Sequence, residues 1–158
     1  MDVSFVTGKE KFNYRVCALL LHEGKILAMQ DERSPYYYLP GGRVRMGETA
    51  EQAVARELRE ELGVVVEIQR PLWLNQAFFT EDVDGLSYHE LCLYFLMGPV
   101  GPELLDKGES FVLREGKHTH TFTWLRWESL REEYFYPLFL KEEIFHLPDA
   151  LTLRAEWE

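Results

Sequence analysis

The sequence predicts an α/β (α+β) fold, a mixed sheet covered by helices on both sides. Short apolar runs with strand composition recur along the chain. One amphipathic stretch, Thr49 to Leu62, carries helix signals at both ends, and a second helical pattern lies near the C-terminus. At 158 residues the chain is long enough to bury a core but short for two, so residues 1–158 read as a single domain.

Taken in order, Tyr14 to His22 is rich in Val, Ala and Leu and reads as a strand buried on both faces. Glu23-Gly24 is a turn signal, and Lys25 to Gln30 reads as the hairpin partner. After a polar loop, Tyr36 to Leu39 reads as a short aromatic strand. Pro40-Gly41-Gly42 is expected to be a loop, because proline and paired glycines defeat both helix and ladder. The helix over Thr49 to Leu62 starts on a capping box, Thr49 with Gln52, and stops at Gly63. Val64 to Gln69, Leu72 to Phe79 and His89 to Met97 follow as strands, with a turn at Asp82 to Gly85. Gly98-Pro99 and Gly101-Pro102 open a long acidic loop. Thr121 to Leu125 is then a strand and Pro137 to His146 a terminal helix.

Apolar residues at 46% and charged residues at 28% describe an ordinary globular protein. The formal charge of −10 argues against long nucleic acid, which needs a basic surface. A small polyphosphate remains compatible when cations sit between it and the acids. Cys17 and Cys92 lie in apolar runs and read as buried free thiols. The first residues show no signal-peptide core and no run is long enough to span a bilayer. The expectation is a soluble, cytoplasmic protein with no membrane contact.

The chemistry concentrates between Gly42 and Val64. Glu57, Glu60 and Glu61 stand at i, i+3 and i+4 and share one helix face. Such like charges destabilise a helix on its own, whereas a hard divalent cation turns the same oxygens into ligands. Ala50 and Ala53 lie on that face and would leave room beside the acids, while Val54, Leu58 and Leu62 form the stripe that docks the helix. A bare Glu-x-x-Glu-Glu is otherwise a solvated surface. Glycines let a backbone approach closely, so Gly41-Gly42 is suited to lend a backbone ligand to the same cluster.

The segment resembles the Nudix box, G-x5-E-x7-R-E-U-x-E-E-x-G-U with U apolar. Gly42, Glu48, Arg56, Glu57, Leu58, Glu60, Glu61, Gly63 and Val64 fill every specified position. A random window does so with odds below about one in ten million on average composition. Tyr38-Leu39-Pro40-Gly41-Gly42 is similar to the lead-in of that family. The resemblance implies a Nudix-like α/β/α sandwich with a mixed central sheet and the box on a loop-helix-loop. It implies a hydrolase that uses Mg2+ or Mn2+ to cut a diphosphate linkage in a small nucleoside diphosphate derivative. Glu57, Glu60 and Glu61 with the Gly41 carbonyl would hold the metal; Arg56 and Glu48 would hold loop and helix together; Gly42 and Gly63 would be structural. The general base varies in the family. Glu57 and Glu60 are candidates, as is Glu115 in Arg114-Glu115-Gly116-Lys117. A non-catalytic nucleotide sensor of the same fold is the alternative, disfavoured because every box acid is present.

Outside the box, Arg43 and Arg45 flank the loop and suit phosphate oxygens, and Tyr38 and Phe79 belong to an aromatic group that suits a base. His118 and His120 alternate, so in a strand both face one side, as phosphate or metal partners or as plain polar surface. No subfamily motif is recognisable. The substrate stays open among nucleotide sugars, dinucleoside polyphosphates and nucleoside triphosphates, and the assembly between monomer and homodimer.

Overall fold

A computed structural model describes residues 1–158. In chain order the elements are β1 (Ser4–Thr7), β2 (Glu10–Leu19), β3 (Leu21–His22), β4 (Lys25–Asp31), β5 (Gly41–Arg43) and α1 (Ala50–Leu62). They continue with β6 (Ile68–Thr80), β7 (Ser87–Met97), α2 (Pro102–Leu105), β8 (Ser110–Glu115) and β9 (His118–Arg126). A 3-10 turn (Trp127–Glu132), α3 (Leu140–Glu143) and β10 (Thr152–Trp157) complete the chain. A six-stranded sheet runs β1-β2-β7-β6-β10 with β5 also paired to β2, and a four-stranded sheet runs β3-β4-β9-β8. The larger sheet is mixed: β2 with β7 and β6 with β10 are parallel, the remaining pairs antiparallel.

Period-two alternation sorts the strands' side chains into two buried layers. Val16, Ala18, Leu27, Met29, Phe95 and Phe122 pack with Val54, Leu58 and Leu62 of α1. Their alternate neighbours Cys17, Leu19, Ile26, Ala28 and Tyr94 pack with Leu130, Leu140 and Ile144 of the C-terminal segment. The sheets therefore lie between α1 and the C-terminal helices, the layered mixed fold that the sequence predicts. Cys17 and Cys92 are buried free thiols with their sulfurs 3.6 Å apart.

Several local expectations are corrected. Tyr14 to His22 is not one strand: the chain passes from β2 to β3 at Leu20, and the two lie in different sheets. Gly41-Gly42 is not a loop but pairs with Cys17 and Val16 in β5. Two glycines are tolerated here because the ladder runs where side chains cannot: a Cβ on Gly41 would lie 2.1 Å from the Val16 carbonyl oxygen. Tyr36 to Leu39 forms single bridges, Tyr38 to Met29 and Tyr37 to Phe135, rather than a strand. Val64 to Gln69 and Leu72 to Phe79 are replaced by the continuous β6, which starts at Ile68. Register shifts around Pro71, which has no N–H to give the ladder, absorb the proline. Pro137 to His146 is α-helical only over Leu140–Glu143. The strands β1, β8 and β10 and the short α2 were not expected at all.

Candidate active site

Helix α1 carries the central acids. Thr49 caps it by accepting from the Gln52 N–H while the Gln52 side chain accepts from the Thr49 N–H, and Gly63 closes it in the left-handed region at φ 69°. The carboxylates are thereby fixed over β5. Glu61 is buried at 8% exposure, and one of its oxygens accepts the Gly41 N–H at 2.9 Å. Glu57 lies so near Gly42 that a Cβ there would be 2.5 Å from its carboxyl carbon. Ala50 and Ala53 do not leave open space beside the acids as expected; both are packed into the core layer beneath α1.

Arg56 is the hub. Its Nε and Nη2 donate to the two Glu48 oxygens at 2.7 and 2.9 Å, and Nη2 also donates to the Arg43 carbonyl at 3.0 Å. Its Nη1 donates to Glu57 at 2.9 Å and Glu60 at 3.4 Å. One planar fork thus ties the loop before the helix to two box acids. Glu48 also accepts the Arg45 N–H at 3.0 Å, and Arg45 pairs with Glu60 at 3.5 Å.

Electrostatics follow from burial. The bonds from Arg56 hold Glu48 down at about 2. Burial raises Glu57 above the usual carboxylate range against the opposing Arg56 bonds, and the charges of Glu60 and Glu115 add to the rise. Glu61 is raised well above that range by burial first and by Glu57 and Glu115 besides, the Gly41 N–H opposing. The acids here turn to arginines, and no trio of acid, histidine or cysteine side chains converges at metal-ligand spacing. The donor set nonetheless fits a hard divalent cation: it is all oxygen, and it includes the buried Glu61 and the half-buried Glu57, each in the other's field.

Glu115, at the end of β8, is brought to this group. Its carboxylate lies 4.0 Å from Nε2 of His120, which is buried and whose Nδ1 has no partner. His118 faces Glu32 at 2.9 Å in an exposed pair.

On the opposite face of the larger sheet, a cleft of about 390 Å³ is lined by Asn13, Arg15, Arg43, Phe79, Tyr88 and Glu90, and it reaches the box at Gly42. Phe79 and Tyr88 stack at 4.9 Å, and Arg15 faces Glu90 at 4.0 Å. A larger cavity, about 550 Å³ beside α3, contains no box residue. Of the four side chains read from sequence as substrate contacts, Arg43 and Phe79 share the cleft. Arg45 stands with Glu60, and Tyr38 donates to Asp31 at 3.0 Å behind the box. Sequence reasoning missed Arg15 and Tyr88. Arg15 and Asn13 alternate with the apolar and aromatic Phe12, Tyr14 and Val16 of β2, which was the available signal.

Residues 11–144 match the family described as the NUDIX domain. A protein of Methanocaldococcus jannaschii named ADP-ribose pyrophosphatase is 32% identical over 92 residues, which are 56% of this chain and 52% of that protein. The chain spans about half or less of the length of the curated relatives it matches. Among solved structures, the MutT protein of Bacillus halodurans superposes with a TM-score of 0.62 at 15% identity, over 92% of this chain and 89% of that one. The MutT protein of Methanosarcina mazei superposes with a TM-score of 0.58 at 22% identity, over 84% and 91%. No helix is long and apolar enough to cross a membrane.

Proposed function

The chain belongs to the Nudix family, and on that premise we propose that it is a metal-dependent pyrophosphohydrolase cutting a diphosphate linkage in a small nucleoside diphosphate derivative. The observation that carries this reading is the junction at β5. Two glycines there bring the backbone between the half-buried Glu57 and buried Glu61 of α1 on one side and a cleft with two arginines and a stacked aromatic pair on the other. The name of the 32% identical archaeal relative, ADP-ribose pyrophosphatase, is consistent with a nucleoside diphosphate joined to a second group. β1 and β10 lie outside the matched residues yet extend the same sheet, which supports reading residues 1–158 as one domain.

Glu57, Glu60 and Glu61 with the Gly41 carbonyl would hold Mg2+ or Mn2+. When bound, such an ion neutralises the diphosphate and lowers the pKa of an attacking water. The rest falls to the chain. Arg43 and Arg15 meet phosphate oxygens, and Phe79 with Tyr88 offers a flat face to a base. Arg56, bonded to Glu48, keeps Glu57 and Glu60 from swinging away from the loop. Glu115 is the proposed general base, taking the proton of the attacking water, with the buried His120 steering its carboxylate. Glu57 and Glu60 are the alternatives within the box.

The reading is tested by following phosphate or nucleoside monophosphate release from nucleotide sugars, dinucleoside polyphosphates and nucleoside triphosphates, with and without magnesium or manganese. Metal-dependent cleavage of one class supports it and names the substrate. A compound that raises Tm and is never cut would make the chain a sensor instead.

A further inference from the structure

Five aromatic rings cross the larger sheet in one line. Phe5, Phe12, His89, Phe78 and Trp157 are cross-strand neighbours on β1, β2, β7, β6 and β10. Successive rings are 5.4, 5.7, 4.6 and 5.4 Å apart. The row lies on the α1 side of the sheet, because β2 places Phe12 on the same face as Val16, which packs with that helix. Nothing in the chain covers it: Trp157 is 72% exposed, Leu153 four residues before it 69%, and Phe5 57%.

The adjoining register on the same face holds Tyr14, Leu91, Gln76 and Ala155. These two rows contain no Asp, Glu, Lys or Arg, although such residues make up 28% of the chain and leave a formal charge of −10. With about 150–250 Å² on each aromatic side chain, the exposed and half-buried residues of this face leave roughly 800 Å² in water. The largest apolar patch of a typical monomer is about 300–600 Å², whereas one partner of a standard stable interface contributes about 800 Å².

We propose that this face is the interface of a homodimer, two copies packing row against row about a two-fold axis. A charged partner would find nothing to pair with, and an anionic lipid surface would be repelled by the acidic body around the face. A second copy brings the same uncharged rows, so the contact is self-complementary and the acids of both copies stay in water. The cleft lined by Arg15 and Arg43 opens on the other side of the sheet and is left free. The inference does not depend on which reaction the chain performs.

The experiment is sedimentation velocity from about 1 to 100 µM, a range that brackets a micromolar dimer. The wild-type chain is compared with the double variant Phe5→Glu/Trp157→Glu and with the control Leu138→Glu, which alters an exposed position beside α3 on the opposite side of the sheet. The expected result is twice the 18.6 kDa of one chain for wild type and control, and one chain for the double variant. Circular dichroism of the double variant should be unchanged, since both positions are exposed. A wild-type monomer over the whole range overturns the proposal, as does a double variant that stays dimeric. Wild-type protein that is monomeric but co-sediments with phosphatidylcholine vesicles overturns it in favour of a lipid surface.

Discussion

Gly42→Ala separates catalysis from folding at the proposed site. A Cβ at Gly42 would stand 2.5 Å from the Glu57 carboxyl carbon and from one of its oxygens, and 2.8 Å from the other. Ordinary contact begins near about 3.5 Å, so the carboxylate must retreat by about 1 Å. The clash involves only the far end of a flexible side chain, so Glu57 can swing at a cost of about 1 kcal/mol for an off-rotamer position. Tm should therefore fall by no more than about 2–4 °C. A misplacement of about 1 Å at a reacting centre costs on the order of 100-fold in rate, and kcat should drop by that amount. Gly41→Ala should behave in the opposite way. Its Cβ would meet the Val16 carbonyl oxygen at 2.1 Å, backbone against backbone with φ at 153°, so the β5–β2 ladder itself must open and stability is lost. The assay is kcat and KM on the cleaved substrate beside a thermal melt for each variant. A Gly42→Ala protein with full kcat refutes the placement of Glu57 at the reaction. One that melts far below wild type refutes the view that Gly42 is there for the acid.

Three further outcomes follow from the same geometry. Glu61 has its folded carboxyl raised well above its ordinary 4.5, by burial first and then by Glu57. Its contribution to stability is complete below that ordinary value and is lost as pH rises through the folded one. Metal-free Glu61→Gln should thus melt higher than metal-free wild type at pH 8 and match it near pH 4, and magnesium should raise only the wild-type Tm at pH 8. Parallel melting curves across pH would contradict this. Arg56→Lys keeps a charge but cannot reproduce the fork to Glu48, Glu57 and the Arg43 carbonyl. It should lose about 1–3 kcal/mol in denaturant unfolding and about 10–100-fold in metal affinity. Glu115→Gln should lower kcat by about 100-fold or more with KM unchanged, as removal of a general base does. A surface role would leave the rate and its pH profile untouched.

What was legible in the sequence is what is local in the chain. The α1 boundaries were readable because the capping residues Thr49 and Gln52 and the stop at Gly63 act within one helical turn. The shared face of Glu57, Glu60 and Glu61 follows from helix periodicity alone, and the free thiols follow from their apolar neighbourhoods. The layered mixed fold was likewise implied by alternating strand and helix patterns.

Tertiary structure decided the remainder. A rule against paired glycines in strands fails at Gly41-Gly42 because the pressing of α1 and β2 on that segment, rather than backbone propensity, governs it. Arg15 and Tyr88 read as isolated polar positions until the parallel pairing of β2 with β7 lays them along one cleft with Arg43 and Phe79. The line from Phe5 to Trp157 exists only because β10 returns from the end of the chain to lie parallel to β6. Helix faces and caps are set by bonds spanning a few residues, so the chain carries them wherever it goes. Strand neighbours are chosen by the burial of distant apolar surfaces against each other, and only the completed packing determines which side chains meet.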